Sequence, residues 1–206
     1  MISWREQLSQ AILDYRYLMD RGYNSKPSLD LISGRYELSR EERLLLYRCV
    51  HSESQAREVR EKMGLDGTLV IDGFNVGLTL LSVWDGDQVF LCDDLFLRDL
   101  ASGKKKQDSR IVHALITVAE LLLSLGLEFL IVLDSQVSGS GEIAAKLRKM
   151  GINAKVASKA DKEIIEMREV SVTSDFVVLT RSKKVYDVCS LLVDRSQVIN
   201  IRDFIG

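Results

Sequence analysis

The sequence predicts an α/β protein in which a small all-α domain precedes a mostly parallel sheet flanked by helices. Residues 1–64 carry helix caps and apolar residues at helical spacing, and no run among them alternates like a strand. From residue 65 onward, short continuous apolar runs alternate with helical segments. This alternation is typical of buried parallel strands joined by helices. We therefore expect a helical domain over 1–64 and an α/β domain over 65–206.

The helical domain is expected to hold four helices, delimited by capping residues, a proline or glycines. The starts are marked by Ser3 with Glu6, by Pro27, and by Ser39 with Glu42; Gly22 and Gly34 mark ends, and the fourth helix covers 54–63. After these helices, Gly64 and Gly67 bracket a turn where the helical period gives way to a continuous apolar run. The domain boundary is therefore expected at this turn.

The α/β domain is expected to contain five main strands and five helices. The strands are 68–71, 128–133, 152–157, 170–173 and 197–201, and the helices are 75–84, 108–125, 141–150, 161–168 and 176–192. A further candidate strand, 89–92, lies in the irregular stretch 85–109. Repeated strand-helix units of this kind favour a parallel sheet covered on both faces.

The composition is that of a typical globular chain. The 206 residues are 46% hydrophobic and 28% charged, with a formal net charge of −2. No uninterrupted apolar run reaches the ~20 residues of a membrane-spanning helix, so no membrane association is expected. Arg5 and Glu6 stand where a signal peptide would need apolar residues, which favours a cytoplasmic location. Cys49, Cys92 and Cys189 lack metal-binding spacing and are expected to be buried thiols without a disulfide.

Four aspartates follow predicted strands at or near their carboxyl ends. Asp72 and Asp134 come directly after apolar runs, Asp161 comes four residues after one, and Asp175 comes two residues after another. Ligands collect at this edge of an open parallel sheet. Helix capping explains any single aspartate here, but it does not require four. We expect these carboxylates to gather at one edge.

Gathered carboxylates repel one another, and a cation relieves the repulsion. Oxygen ligands without histidine or thiolate favour Mg²⁺ or Mn²⁺. Such an ion lowers the pKa of a bound water and neutralises charge on a reacting phosphate. The pattern therefore predicts metal-dependent hydrolysis of a phosphoryl ester.

Several motifs carry a resemblance to known families. The segments VIDGFN at 70–75, SKAD at 158–161 and VTSD at 172–175 resemble the acidic signature of PIN-like and NYN nuclease domains. The whole chain is similar to a mainly archaeal family of unknown function, in which a helical domain (domain of unknown function 434) precedes a PIN-like domain. That similarity rests on segments 21–23, 35–38, 42–50, 72–76, 92–94 with 98–99, and 133–135 with 138–141.

The resemblance implies a sheet of order 3-2-1-4-5 and a divalent-metal ribonuclease that leaves a 5′-phosphate and a 3′-hydroxyl. Asp72, Asp161 and Asp175 match three acidic positions of the signature. The fourth place falls to Asp94, in competition with Asp93 and Asp99, and Asp134 is a further candidate metal ligand. Asn75, Thr173 and Ser174 are expected to orient the site. Two copies of a PIN-like domain could also pair across one groove.

Candidate contacts to RNA phosphates come from three places. Lys104, Lys105, Lys106 and Arg110 lie near the acidic segment, although such a run is also typical of a solvated loop. Ser140 is expected to cap the helix after GSG, where free N–H groups could hold a phosphate. The basic residues of the second and third helices offer an alternative surface, or simply face water; they are Arg35, Arg40, Arg43 and Arg48.

A nucleotide cofactor is not expected. The motif GSGEIA at 139–144 matches a dinucleotide-binding fingerprint, but it lies five residues beyond a strand that is not the first of its unit. No P-loop motif occurs in the chain. Two alternatives to a ribonuclease stay open: a PIN-like binding module for nucleic acid or protein that has lost turnover, and a small-molecule phosphatase using the same edge.

Overall fold

The computed structural model describes residues 2, 5–100 and 108–204. The predicted cap Ser3 and the basic run Lys104, Lys105 and Lys106 lie outside these residues. No helix in the described ranges has the length and apolar character that crossing a bilayer requires. The chain forms a mixed α/β structure with a five-stranded parallel sheet and a helical N-terminal region, as the sequence predicts at this level.

Four helices form the N-terminal region. They are α1 Glu6–Asp20, α2 Ser25–Arg35, α3 Arg40–Cys49 and α4 Glu53–Glu61. The predicted capping box of α3 is present, because Ser39 accepts the Glu42 N–H at 3.2 Å and the Glu42 carboxylate accepts the Ser39 N–H at 2.7 Å. Gly34 does not end α2, which continues to Arg35; the chain turns at Glu37, whose φ is +48°.

The remaining elements alternate between strands and helices. In chain order they are β1 Leu69–Asp72, α5 Gly73–Trp84, β2 Val89–Leu91, β3 Leu97–Asp99, α6 Ile111–Ser124, β4 Phe129–Asp134, α7 Ser140–Lys149, β5 Ala154–Ala157, α8 Ala160–Met167, β6 Val170–Val172, α9 Phe176–Arg181, β7 Lys184–Val185 and β8 Val198–Asn200. The main sheet has the order β5-β4-β1-β6-β7, and every neighbouring pair in it is parallel.

Helices cover both faces of the main sheet. On one face, Leu69 and Ile71 of β1 pack in the core cluster that holds residues of α5, α6 and α7. On the other face, Val70 packs with Ile164 of α8 and Val178 of α9. Successive side chains of a strand point to opposite faces, so both faces of β1 are buried. This explains the continuous apolar run that the sequence shows at β1.

The C-terminal part of the sheet differs from the prediction. The expected helix over 176–192 is wrong: α9 ends at Arg181, β7 follows, and Cys189–Leu191 is a short 3-10 helix. The expected strand 197–201 does not join the main sheet. Instead, β8 pairs in parallel with β2 in a separate sheet of order β3-β2-β8. The edge position of the main sheet is therefore taken by the two-residue strand β7.

The helical region shares its core with this second sheet. Leu8, Ile12 and Leu45 belong to the same buried cluster as Phe90 at β2 and Ile201 near the C-terminus. Burial of apolar surface therefore joins the two parts of the chain across the predicted boundary.

The three cysteines are not all free thiols. Cys49 at the end of α3 and Cys92 after β2 form a disulfide, with Cα atoms 4.5 Å apart. The expectation of three free thiols is therefore wrong, because α3 and β2 pack in the same core and bring these side chains together. Cys189 is a free, buried thiol.

Gly73 marks a close approach between α5 and β4. A Cβ at this position would lie 2.6 Å from Leu133 Cδ2 and 3.0 Å from Ile131 Cγ2. We expect Gly73→Ala to lower the free energy of unfolding by about 1–3 kcal/mol, because neither strand residue can withdraw from a packed core. Urea denaturation measures the change.

The control is Gly141→Ala, also in the first turn of a helix, where a Cβ would meet nothing within 4 Å. This variant should gain about 0.5–1 kcal/mol from helix propensity. Equal stability of Gly73→Ala and the wild type would contradict the close packing.

Candidate functional site

Strand ends and helix starts position the predicted aspartates along one edge of the sheet. Asp72 ends β1 and Asp134 ends β4. Asp161 lies in the first turn of α8, which follows β5, and Asp175 caps α9, which follows β6. Because the strands are parallel, these positions lie at the carboxyl edge of the sheet. Asp72 and Asp175 follow the adjacent strands β1 and β6.

Asp72 is the buried member of this set. Its side chain caps α5 by accepting the Asn75 N–H at 3.1 Å, and its second oxygen accepts the Thr173 hydroxyl at 3.2 Å. Burial, together with the charges of Asp161 and Asp175, raises the pKa of Asp72 to about 6 against the lowering effect of these hydrogen bonds. The negative charge of Asp72 is therefore costly in the folded protein.

The other three carboxylates are less buried than Asp72. Asp161 and Asp175 are exposed, and Asp134 is partly buried. Asp175 accepts the N–H groups of Val177 and Val178 at 2.8 and 3.2 Å. Asp134 accepts the Ala160 N–H at 3.4 Å, so its side chain reaches the start of the helix that carries Asp161.

Three polar residues link Asp72 with the turn that carries Asp175. The Asn75 side-chain oxygen accepts both the N–H and the hydroxyl of Ser174, at 2.7 and 2.9 Å. Thr173 donates its hydroxyl to Asp72, and the same oxygen accepts the Asp175 N–H at 3.2 Å. Asn75, Thr173 and Ser174 therefore form a network that connects the end of β1 with the turn after β6.

Asp94 has surroundings that do not fit the expected role. It is fully buried, and its two oxygens accept the two terminal nitrogens of Arg98 at 2.7 and 2.5 Å. Burial alone would raise the pKa of Asp94, but the Arg98 charge and hydrogen bonds hold it below its usual range. Arg98 also donates to the Ser174 carbonyl at 2.7 Å. Because this pair engages both oxygens, Asp94 does not fit the expected fourth acidic position of the site: its contacts with Arg98 help to hold the turn at Ser174.

The predicted phosphate contacts also have other roles here. Arg110 forms ion pairs with Asp85 and Asp108. Ser140 is the buried first residue of α7 and lies inside the helix, so the expectation that it caps this helix is wrong. The N-cap is Gly139, whose φ of +84° suits a residue without a Cβ.

The side chains at this edge offer the ligand chemistry of a hard cation. Within residues 2, 5–100 and 108–204, no three His, Cys, Asp or Glu side chains are arranged to hold a metal ion. The donor chemistry nevertheless suits a hard cation, since Asp72, Asp161 and Asp175 offer only carboxylate oxygens. A cation beside Asp72 would also offset the charge that burial penalises.

Sequence reasoning missed two buried charged residues near this edge. Arg98 of β3 pairs with Asp94 in the β2–β3 turn, and a spacing of four residues outside a helix does not predict an ion pair. Asp187 follows β7, in a segment that the sequence predicts as helix; burial raises its pKa to about 6, while it accepts the Leu97 N–H at 2.8 Å and the Cys189 N–H at 3.0 Å. A correct prediction of β7 would have placed Asp187 at the same edge.

Comparisons with known proteins identify the family. A model of a protein of unknown function, DUF434, matches residues 7–62, as the sequence resemblance implied. A domain of unknown function, DUF5616, matches residues 62–191. An uncharacterized protein of Methanocaldococcus jannaschii is 32% identical over 200 residues, which cover 91% of this chain and 95% of that protein. No solved structure matches the chain. The chain therefore belongs to the family defined by the DUF5616 domain, with a DUF434 segment preceding that domain.

Proposed function

We propose that this protein is a PIN-like, divalent-metal-dependent phosphodiesterase that hydrolyses RNA. Asp72, Asp161 and Asp175 would hold Mg²⁺ or Mn²⁺ at the carboxyl edge of the sheet. The observation that carries the proposal is the state of Asp72: a buried carboxyl with a pKa of about 6, raised in part by the charges of Asp161 and Asp175. A divalent cation resolves this conflict, and oxygen donors select a hard one.

The bound ion would lower the pKa of a water molecule and offset charge on the phosphate. The chain's own residues fix the ligands. The Asn75 N–H and the Thr173 hydroxyl orient the two oxygens of Asp72. The contact between Asp134 and the Ala160 N–H anchors the start of α8, and thus the position of Asp161. Asp134 therefore acts in this proposal by positioning α8, with Asp94 outside the ligand set.

A second candidate function is a nucleic-acid-binding module without turnover. It is favoured by the finding that the described ranges contain no assembled group of three metal-binding side chains. In that case the carboxyl edge of the sheet would bind a nucleic acid without cleaving it.

Cleavage of a mixture of single-stranded and structured RNA in the presence of Mn²⁺ tests the proposal. We expect the wild type to produce fragments with 5′-phosphates, and Asp161→Asn to cleave at least about tenfold more slowly, since a neutral amide replaces a charged ligand carboxylate. The matched control is Glu163→Gln on the same helix, whose side chain pairs with Lys155; it should cleave like the wild type.

Equal rates for Asp161→Asn and the wild type would overturn the proposal. RNA binding without cleavage by the wild type would instead favour the binding module. Hydrolysis of 4-nitrophenyl phosphate but not of RNA would favour a small-molecule phosphatase.

A further inference from the structure

A cleft joins the helical region to the candidate site. Its volume is about 430 Å³. Tyr47, Arg48 and His51 line it from the helical side, and Asn75, Ser174 and Asp175 line it from the carboxyl edge of the sheet. A ligand in this cleft would therefore contact the helical region and the acidic edge at once.

His51 is an unusual residue of this cleft. Only 7% of it is exposed, and its ring stacks on Phe176, with ring centroids 3.4 Å apart. Asp93 holds it twice, because the two Asp93 oxygens lie 2.6 Å from Nδ1 and from the His51 backbone nitrogen. Among the described residues, Nε2 has no hydrogen-bond partner although it is buried. A buried polar atom without a partner carries a cost that a ligand can remove.

The Asp93 contact fixes what Nε2 can bind. A carboxylate only accepts hydrogen bonds, so Nδ1 carries the proton that faces Asp93. In the neutral imidazole, Nε2 is then an acceptor, and its natural partner is a hydroxyl hydrogen.

Three basic side chains line the cleft, Lys26, Arg48 and Arg98, against one carboxylate, Asp175, which suits an anionic ligand. Lys26 and Arg48 also line an adjoining cavity of about 510 Å³ formed by α2 and α3. Arg48 lies 3.6 Å from Asp99, and burial lowers the pKa of its guanidinium. A guanidinium that burial has largely removed from water gains from an incoming phosphate.

We propose that this cleft binds a ribonucleotide of the RNA strand, and that Nε2 of His51 accepts a hydrogen bond from its 2′-hydroxyl. Lys26 and Arg48 then contact the neighbouring phosphates. The 2′-hydroxyl is the group that distinguishes RNA from DNA, so His51 would set the preference for RNA. The proposal rests on the proposed RNA substrate and assigns the residue that selects it.

Binding without cleavage tests this role. Fluorescence anisotropy in EDTA compares three labelled single strands of one sequence: RNA, DNA and 2′-O-methyl RNA. We expect the wild type to bind RNA about five- to tenfold more tightly than the other two, the value of one hydrogen bond. His51→Asn keeps an N–H that can face Asp93 but lacks Nε2, and it should bind all three strands equally.

Two control variants separate this role from others. His113→Asn should keep the preference for RNA, because His113 is an exposed residue of α6 outside the cleft lining. Arg48→Met should weaken binding of RNA and DNA by the same factor, as the loss of a phosphate contact does.

Three results would overturn the proposal: equal binding of RNA and DNA by the wild type, no binding of either, or an unchanged preference in His51→Asn. A preference for RNA that depends on His51, in a protein that cleaves no RNA with Mn²⁺, would support this proposal while the proposed hydrolysis fails. Cleavage of RNA without any such preference would support the proposed hydrolysis and overturn the role of His51.

Discussion

Arg98→Met lowers the free energy of unfolding by about 3–5 kcal/mol, the usual cost of removing one partner from a buried ion pair. The side chains of Arg98 and Asp94 are 2% and 0% exposed. Without Arg98, the Asp94 carboxylate is buried with no opposing guanidinium, and the Ser174 carbonyl loses a donor. Guanidinium chloride denaturation at pH 7 measures the effect.

Two further variants test the cause of this loss. The double variant Arg98→Met with Asp94→Leu should recover part of the stability, since the unpaired Asp94 charge is removed while the Ser174 carbonyl and the Phe96 N–H still lack their partners. The control Arg57→Met removes a partner from the exposed Arg57–Glu61 pair and should cost less than about 0.5 kcal/mol. A loss as small as that of the control would show that the Arg98–Asp94 pair is not buried in solution.

Asp72→Asn raises the free energy of unfolding by about 3 kcal/mol at pH 8 in the absence of divalent metal. The pKa of Asp72 is about 6 in the folded protein, against an ordinary value of 3.8; at about 1.4 kcal/mol for each pH unit, this difference gives the expected gain. An asparagine side chain can still accept the Asn75 N–H, and its amide can donate to the Thr173 oxygen.

The raised pKa of Asp72 determines how the stability of the wild type relative to Asp72→Asn changes with pH. Below about pH 4 the folded and unfolded states both hold the Asp72 proton, and the carboxyl contributes no penalty. As the pH rises from there to about 6, the unfolded state loses this proton first, so the wild type loses stability relative to Asp72→Asn. The difference in the free energy of unfolding between the two proteins reaches its full value above the pKa of Asp72 in the folded protein, and it stays constant at higher pH. Urea denaturation of both proteins between pH 4 and pH 8 records it.

The matched control for this variant is Asp187→Asn. Burial also raises the pKa of Asp187 to about 6, but its two oxygens accept the N–H groups of Leu97 and Cys189. An amide can supply only one acceptor atom, so Asp187→Asn leaves one buried N–H unsatisfied and should gain less than Asp72→Asn. A pH-independent difference between Asp72→Asn and the wild type would contradict the raised pKa of Asp72.

The strands of the parallel sheet and the aspartates that follow them could be predicted from the sequence, because both depend on local patterns. Continuous apolar runs predict β1 and β4, because both faces of these strands are buried. Asp72 and Asp134 follow these runs directly. The capping box of Ser39 is likewise contained within four residues. Signals of this kind lie within a few residues of the element that they specify.

The rest depends on contacts between distant segments. His51 and Asp93 are 42 residues apart, and neither position has a pattern that points to the other. The two residues of β7 are too few for an alternating pattern, so the helical propensity of the surrounding segment dominated the prediction. The pairing of β8 with β2 depends on tertiary packing against the N-terminal helices.

The effect of Mn²⁺ on unfolding tests most directly whether the acidic edge holds a metal ion. Mn²⁺ at about 100 times its dissociation constant should stabilise the wild type by about 2.7 kcal/mol at pH 8. Asp72→Asn, the more stable protein in EDTA, should gain little from Mn²⁺ because it lacks a ligand carboxylate. An equal gain in both proteins, or none in the wild type, would contradict a metal site at Asp72.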